Sequence, residues 1–128
     1  MDIQRINTSD APTPAGHYSQ AVVYNGLIFV SGQLSIVPGT GEKLLGSIEE
    51  QTEQTLKNVA AIVEAANSDL SRILKMTVYI ADINLWIAVN TVYAKFMGEY
   101  RPARAIIPTG ALHYGFLIEI DAVAAVRE

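Results

Sequence analysis

The sequence predicts an α+β fold in which two helices cover one face of a mostly antiparallel, six-stranded sheet. Three observations predict it. Asn25-Gly26 stands between two β-rich runs and reads as a tight hairpin. A capping box at Ser47 opens a long amphipathic helix. The remaining elements then run strand, helix, strand, strand, an order that lets both helices share one face.

Along the chain, residues 3 to 17 begin with a short first strand. Asp10, Pro12, Pro14 and Gly16 then keep the segment extended and irregular. Gln20 to Tyr24 and Leu27 to Ser31 are the hairpin arms, because Asn-Gly supplies the positive φ angles of a type I′ turn. Gly32, in Ser31-Gly32-Gln33, reads either as an ordinary bulge or as a point where a ligand nears the backbone. Pro38-Gly39-Thr40-Gly41 is a turn. In Ser47-Ile48-Glu49-Glu50 the serine caps the helix, and Ile48, Thr52, Leu56, Val59, Ile62, Val63 and Ala66 follow on one face up to a left-handed stop at Asn67. Ile73 to Ala81 reads as a half-buried strand with Leu74, Met76, Val78 and Ile80 on one side. A second helix starts at Asp82 or Asn84 and ends at Gly98. Its apolar positions are Leu85, Trp86, Val89, Val92, Tyr93 and Phe96, and Asn90 lies among them.

The last two strands hold the chemistry. Arg104 sits in ARAII and Glu119 in FLIEIDAVA, charges that aliphatic neighbours draw inward. If these strands form an antiparallel hairpin, Arg104 faces Glu119. Such a pair is either a structural ion bridge or a pocket in which the guanidinium grips a carboxylate and the glutamate handles a water or proton. Val22, Ile28, Val30, Ile107, Ile118 and Ile120 divide between the two sheet faces. A mostly apolar face without a covering helix then calls for a partner copy.

Composition narrows the classes. The chain has 128 residues, enough for one domain with a real core, and half of them are hydrophobic (50%) with 17% charged. A net charge of -4 and no basic cluster interleaved with aromatics argue against a nucleic-acid partner. The absence of cysteine excludes thiolate catalysis, and no apolar run reaches the ~18 residues of a spanning helix. The polar N-terminus carries no apolar signal core, so a soluble, cytoplasmic protein is expected. His17 and His113 lie apart in separate loops, and no metal site is expected.

Ala11-Pro12-Thr13-Pro14-Ala15-Gly16-His17-Tyr18-Ser19-Gln20-Ala21, Ser31-Gly32-Gln33, Gln51-Thr52, Asn58, Asn90 with Tyr93, Pro102-Ala103-Arg104 and Ile118-Glu119-Ile120 together resemble the RidA family, also called YjgF, L-PSP endoribonuclease or translation inhibitor. The likeness runs in order over nearly the whole chain and implies one domain over residues 1–128 with a chorismate-mutase-like fold. It also implies a homotrimer with a barrel-like core and clefts between subunits. The implied activity is cofactor-free hydrolysis of small 2-imino and enamine acids, such as 2-aminoacrylate, 2-iminopropanoate and 2-iminobutanoate, to 2-oxo acids and ammonia.

Carried over by position, Arg104 matches the carboxylate-binding arginine, Glu119 the glutamate beside the hydrolytic water and Tyr18 the tyrosine of the N-terminal motif. Ser31, Gly32 and Asn90 match the pocket, and Ile106 stands where a backbone amide serves. His17, Ala105 and Leu112-His113 depart from the family's usual proline, serine and Leu-Pro. Two other readings follow from the residues and the older names: a non-catalytic, carboxylate-binding or holdase trimer, and an endoribonuclease or translation inhibitor, which the acidic charge opposes.

Overall fold

A computed structural model describes residues 2–128. The chain runs β1 (Gln4–Ile6), β2 (Ala21–Tyr24), β3 (Leu27–Gln33), α1 (Ile48–Ala65), β4 (Ile73–Ile80), α2 (Trp86–Met97), β5 (Ala103–Pro108) and β6 (Ile118–Ala125). All six strands join one sheet in the order β1-β2-β3-β6-β4-β5.

Local chemistry places the ends of these elements. Asn25 and Gly26 adopt φ of 53° and 78°, the type I′ turn of the β2–β3 hairpin. The Ser47 hydroxyl accepts from the Glu50 amide at 3.1 Å and starts α1, and Asn67 at φ 62° follows its end. Asp82 caps a single 3-10 turn, its carboxylate accepting from the Asn84 amide, and this turn leads into α2; Gly98 at φ 67° ends that helix.

The expected β5–β6 hairpin does not form. β5 pairs in parallel with β4, and β6 inserts antiparallel between β3 and β4. Two features of the chain explain this. β4, α2 and β5 make a βαβ crossover, which returns the chain parallel to β4. Pro108 lacks an N–H and suits only an edge, whereas β6 buries Ile118, Ile120, Ala122 and Ala124 and belongs in the centre. Just past β5, the Thr109 amide donates to the Ile80 carbonyl, so by strand alternation the amides of Arg104 and Ile106 face the free edge.

One side of the sheet carries Ile28, Val30, Met76, Val78, Ile80, Ile118 and Ile120 against Leu56, Val59 and Ile62 of α1 and Val89 and Tyr93 of α2. Leu74 is not among them. A bulge between Ile73 and Lys75 turns it outward, 46% exposed, and seats Ile73 in the core instead. The opposite face is less apolar than expected. Of the six aliphatics only Val22 and Ile107 lie there, beside Phe29, Val123, Thr77, Tyr79, Glu119 and Asp121. Phe29 is 47% exposed on it.

Candidate active site

Arg104 lies in β5 opposite Met76 of β4, and register partners share a face, so its side chain is on the helix-covered side. There α2 receives it. Arg104 Nη1 donates to Asn90 Oδ1 at 2.9 Å. The guanidinium sits 4.8 Å from the Tyr93 ring centroid and 5.9 Å from that of Trp86. Asn90, Tyr93 and Arg104 line a cavity of about 490 Å³ with Ala94, Met97, Arg101 and Pro102. Among the described residues no carboxylate lies within 4.0 Å of Arg104, which removes the structural ion bridge with Glu119. Its charge is oriented by an amide and two rings and left without an anion.

Glu119 pairs with Tyr79 and occupies the open face. The bulge after Val30 brings Gly32 against it: a Cβ at Gly32 would stand 2.1 Å from Glu119 Oε2. The bulge reading of Gly32 holds, and the group that nears its backbone is a side chain of the protein itself. Burial pushes the Glu119 carboxyl above the ordinary carboxylate range; the His113 charge opposes this and Asp121 adds to it. Glu119 lines a cavity of about 330 Å³ with Gly16, Tyr18, Ser31, Gly32, His113 and Tyr114. Ser31 donates to the Ser19 carbonyl at 2.6 Å, which ties β3 to the loop before β2. The Tyr18 hydroxyl accepts from the Ala15 amide at 3.4 Å, with its ring half exposed over the cavity.

The predicted residues thus fall into two groups. Tyr18, Ser31, Gly32 and Glu119 come together at a cavity on one side of the sheet; Asn90 and Arg104 come together at a cavity on the other, and Ile106 shares that side without lining it. Of the family departures, His113 lines the Glu119 cavity, Ala105 points to the open face and His17 is exposed. Among the described residues no group of three or more His, Cys, Asp or Glu is placed to hold a metal ion.

Some residues that build the site carry roles that only the structure shows. Gln20 is buried, and it gathers the N-terminal loop by donating to the Thr8, Ala11 and Pro12 carbonyls and accepting from the Thr8 amide. This holds the segment that presents Tyr18. Trp86 and Tyr93 belong to the apolar stripe of α2, and the Arg104 stack gives them a second role. Gln51 and Asn58, quoted for the resemblance, are struts. Gln51 accepts from the Leu117 amide just before β6, and Asn58 donates to the Leu34 and Ile36 carbonyls just after β3.

A family model described as Endoribonuclease L-PSP matches residues 8–126. The chain belongs to the RidA family. Among its relatives, a RutC family protein of Pyrococcus horikoshii is 44% identical over 119 residues, covering 93% of this chain and 94% of the relative. The 2-iminobutanoate/2-iminopropanoate deaminase of Homo sapiens is 41% identical over 119 residues, covering 93% and 87%. Among solved structures, that of E. coli TdcF with bound serine superimposes with a TM-score of 0.91 at 35% identity, covering 97% of this chain and 99% of TdcF. Its relatives thus include a 2-iminobutanoate/2-iminopropanoate deaminase, and its two-helix, six-strand fold is shared with TdcF.

Proposed function

We propose that this RidA family member hydrolyses the imines of small 2-amino acids to 2-oxo acids and ammonia, without metal or organic cofactor. The observation that carries the proposal is Arg104: oriented by Asn90 and stacked on Tyr93, it has donors free and no acidic partner. A guanidinium in that state fits a ligand carboxylate bidentately, and the edge-facing amides of Arg104 and Ile106 add donors beside it. The deaminase relative of Homo sapiens and the serine-bound TdcF structure support the same class of ligand.

The chemistry needs little else. The carbon of a protonated imine is electrophilic, so a water placed against it adds as Glu119 removes its proton. The resulting amino alcohol collapses as the C–N bond breaks, the nitrogen leaving as ammonia once protonated and the hydroxyl proton returning to base. The raised pKa of Glu119 suits it to both taking and giving that proton. Tyr18 and Ser31 orient the nitrogen and the water.

Because Arg104 and Glu119 face opposite sides of one sheet, we read the working site as shared between subunits of a homotrimer, Arg104 of one meeting Glu119 of the next. The half-covered sheet face with exposed Phe29 supports burial against a neighbour. The test is clearance of 2-iminobutanoate, generated in situ by an amino-acid oxidase and trapped with semicarbazide. Faster loss of imine with wild type than with R104A is expected. Equal rates in both would sink the reading.

A further inference from the structure

Arg101 lines the same cavity as Arg104, with the rigid Pro102 between the two arginines in sequence. The ion pairs among the described residues are Lys57–Glu53 and Arg127–Asp69, so neither Arg101 nor Arg104 has an acid within 4.0 Å. No acidic side chain lines the cavity; its remaining wall is Asn90, Tyr93, Ala94, Met97, Gly98 and Tyr100. This is unexpected in a protein with 13 acidic residues against 9 basic ones, where a chance neighbour of an arginine is more often an acid. Arg101 is exposed where Arg104 is half-buried, so its side chain stays free to meet an anion of its own.

Each guanidinium is a planar fork matched to a carboxylate. An imine with an alkyl side chain has one carboxylate, which Arg104 takes, and it leaves Arg101 without a counterpart. A substrate with a second carboxylate on its side chain occupies both.

We propose that the cavity selects the imine of a dicarboxylic amino acid, Arg101 holding the side-chain carboxylate while Arg104 holds the α-carboxylate. This rests on the deaminase reading above and narrows its substrate class; Arg101 becomes the specificity-determining residue. The chemistry at C2 is the same hydrolysis, so no further reactant is required.

Stable products separate recognition from turnover. The experiment titrates 2-oxoglutarate and 2-oxobutanoate into wild type and R101Q at fixed ionic strength, and follows both imines in the trapping assay. Wild type is expected to bind 2-oxoglutarate about tenfold more tightly than 2-oxobutanoate, the yield of one charge-assisted contact, and in R101Q that ratio is expected to fall to about one. R101K, which keeps charge but loses the fork, should recover only part of it. Clearance of 2-iminobutanoate by wild type with no preference for the dicarboxylate overturns this proposal and leaves the deaminase reading standing. Failure to clear either imine overturns both. A changed sedimentation coefficient in R101Q would assign Arg101 to subunit contact and also overturn it.

Discussion

Arg104 and Glu119 lie on opposite faces of the same sheet. Arg104 is in register with the buried Met76 and Glu119 with Tyr79, and positions an odd number apart on β4 point to opposite sides. A ligand of a few atoms cannot touch both within one subunit. If subunits share the site in a ring, R104A and E119Q should each be inactive alone, while oligomers refolded from an equal mixture regain about a quarter of wild-type activity, the chance that a given interface joins two intact halves. Absence of recovery in mixed assemblies of wild-type size would rule out a shared site.

Replacing Arg104 by lysine keeps the charge and loses both the fork and the stack on Tyr93. We expect R104K to lower kcat/KM by about 10²-fold, chiefly through weaker carboxylate binding, and N90A to lower it by about tenfold through loss of the orienting bond. Steady-state kinetics on 2-iminobutanoate checks both values.

Gly32 leaves open the space that the Glu119 carboxylate occupies. Alanine there would put a Cβ 2.1 Å from Glu119 Oε2, and the carboxylate must swing away. G32A should fold with unchanged circular dichroism and lose about 10²-fold in kcat, as displacement of a catalytic group by about 1 Å does. An active G32A would show that the carboxylate position does not matter.

The pH dependence follows from the environment of Glu119. A general base works when deprotonated, so its rate falls as pH drops through its pKa, which burial has raised. The positive charge of His113 opposes that rise, hence H113Q should move the acid limb of the kcat/KM profile to higher pH. Stability has the matching sign. A carboxyl whose folded pKa exceeds its unfolded one gives stability present below the unfolded pKa and lost as pH rises through the folded pKa. E119Q should therefore gain in Tm relative to wild type as pH is raised through that range, measured by thermal melts from pH 4 to 8.

Gln20 carries the loop that presents Tyr18. Truncation in Q20A strands the Thr8 amide and the Thr8 and Pro12 carbonyls beside a buried void. A loss of about 2–4 kcal/mol is expected, read as a lower urea midpoint at unchanged m-value. Stability within about 0.5 kcal/mol of wild type would mean that water replaces the side chain at no cost.

Much of this protein is legible locally. Asn25-Gly26, Ser47, Asn67, Asp82 and Gly98 announce their turns and caps because each solves a problem of backbone geometry or an orphan amide within a few residues of itself. Arg104 and Glu119 are conspicuous for a similar reason: a charge amid aliphatics is costly unless used. Leu74 departs from the alternation of its strand because a bulge, which local sequence does not announce, breaks the period of two.

By itself the sequence determined which segments are strands and helices, which residues are apolar enough to form the core, and which charges demand an explanation. Only the tertiary structure decided that β6 separates β4 from β3, that β5 forms the edge, and that the two charges therefore face away from each other. Strand pairing joins residues far apart in the chain, and its energy depends on whole faces being buried together. Neighbouring residues announce a turn or a cap, whereas the position of a strand in a sheet is settled by every other strand competing for the same hydrogen bonds.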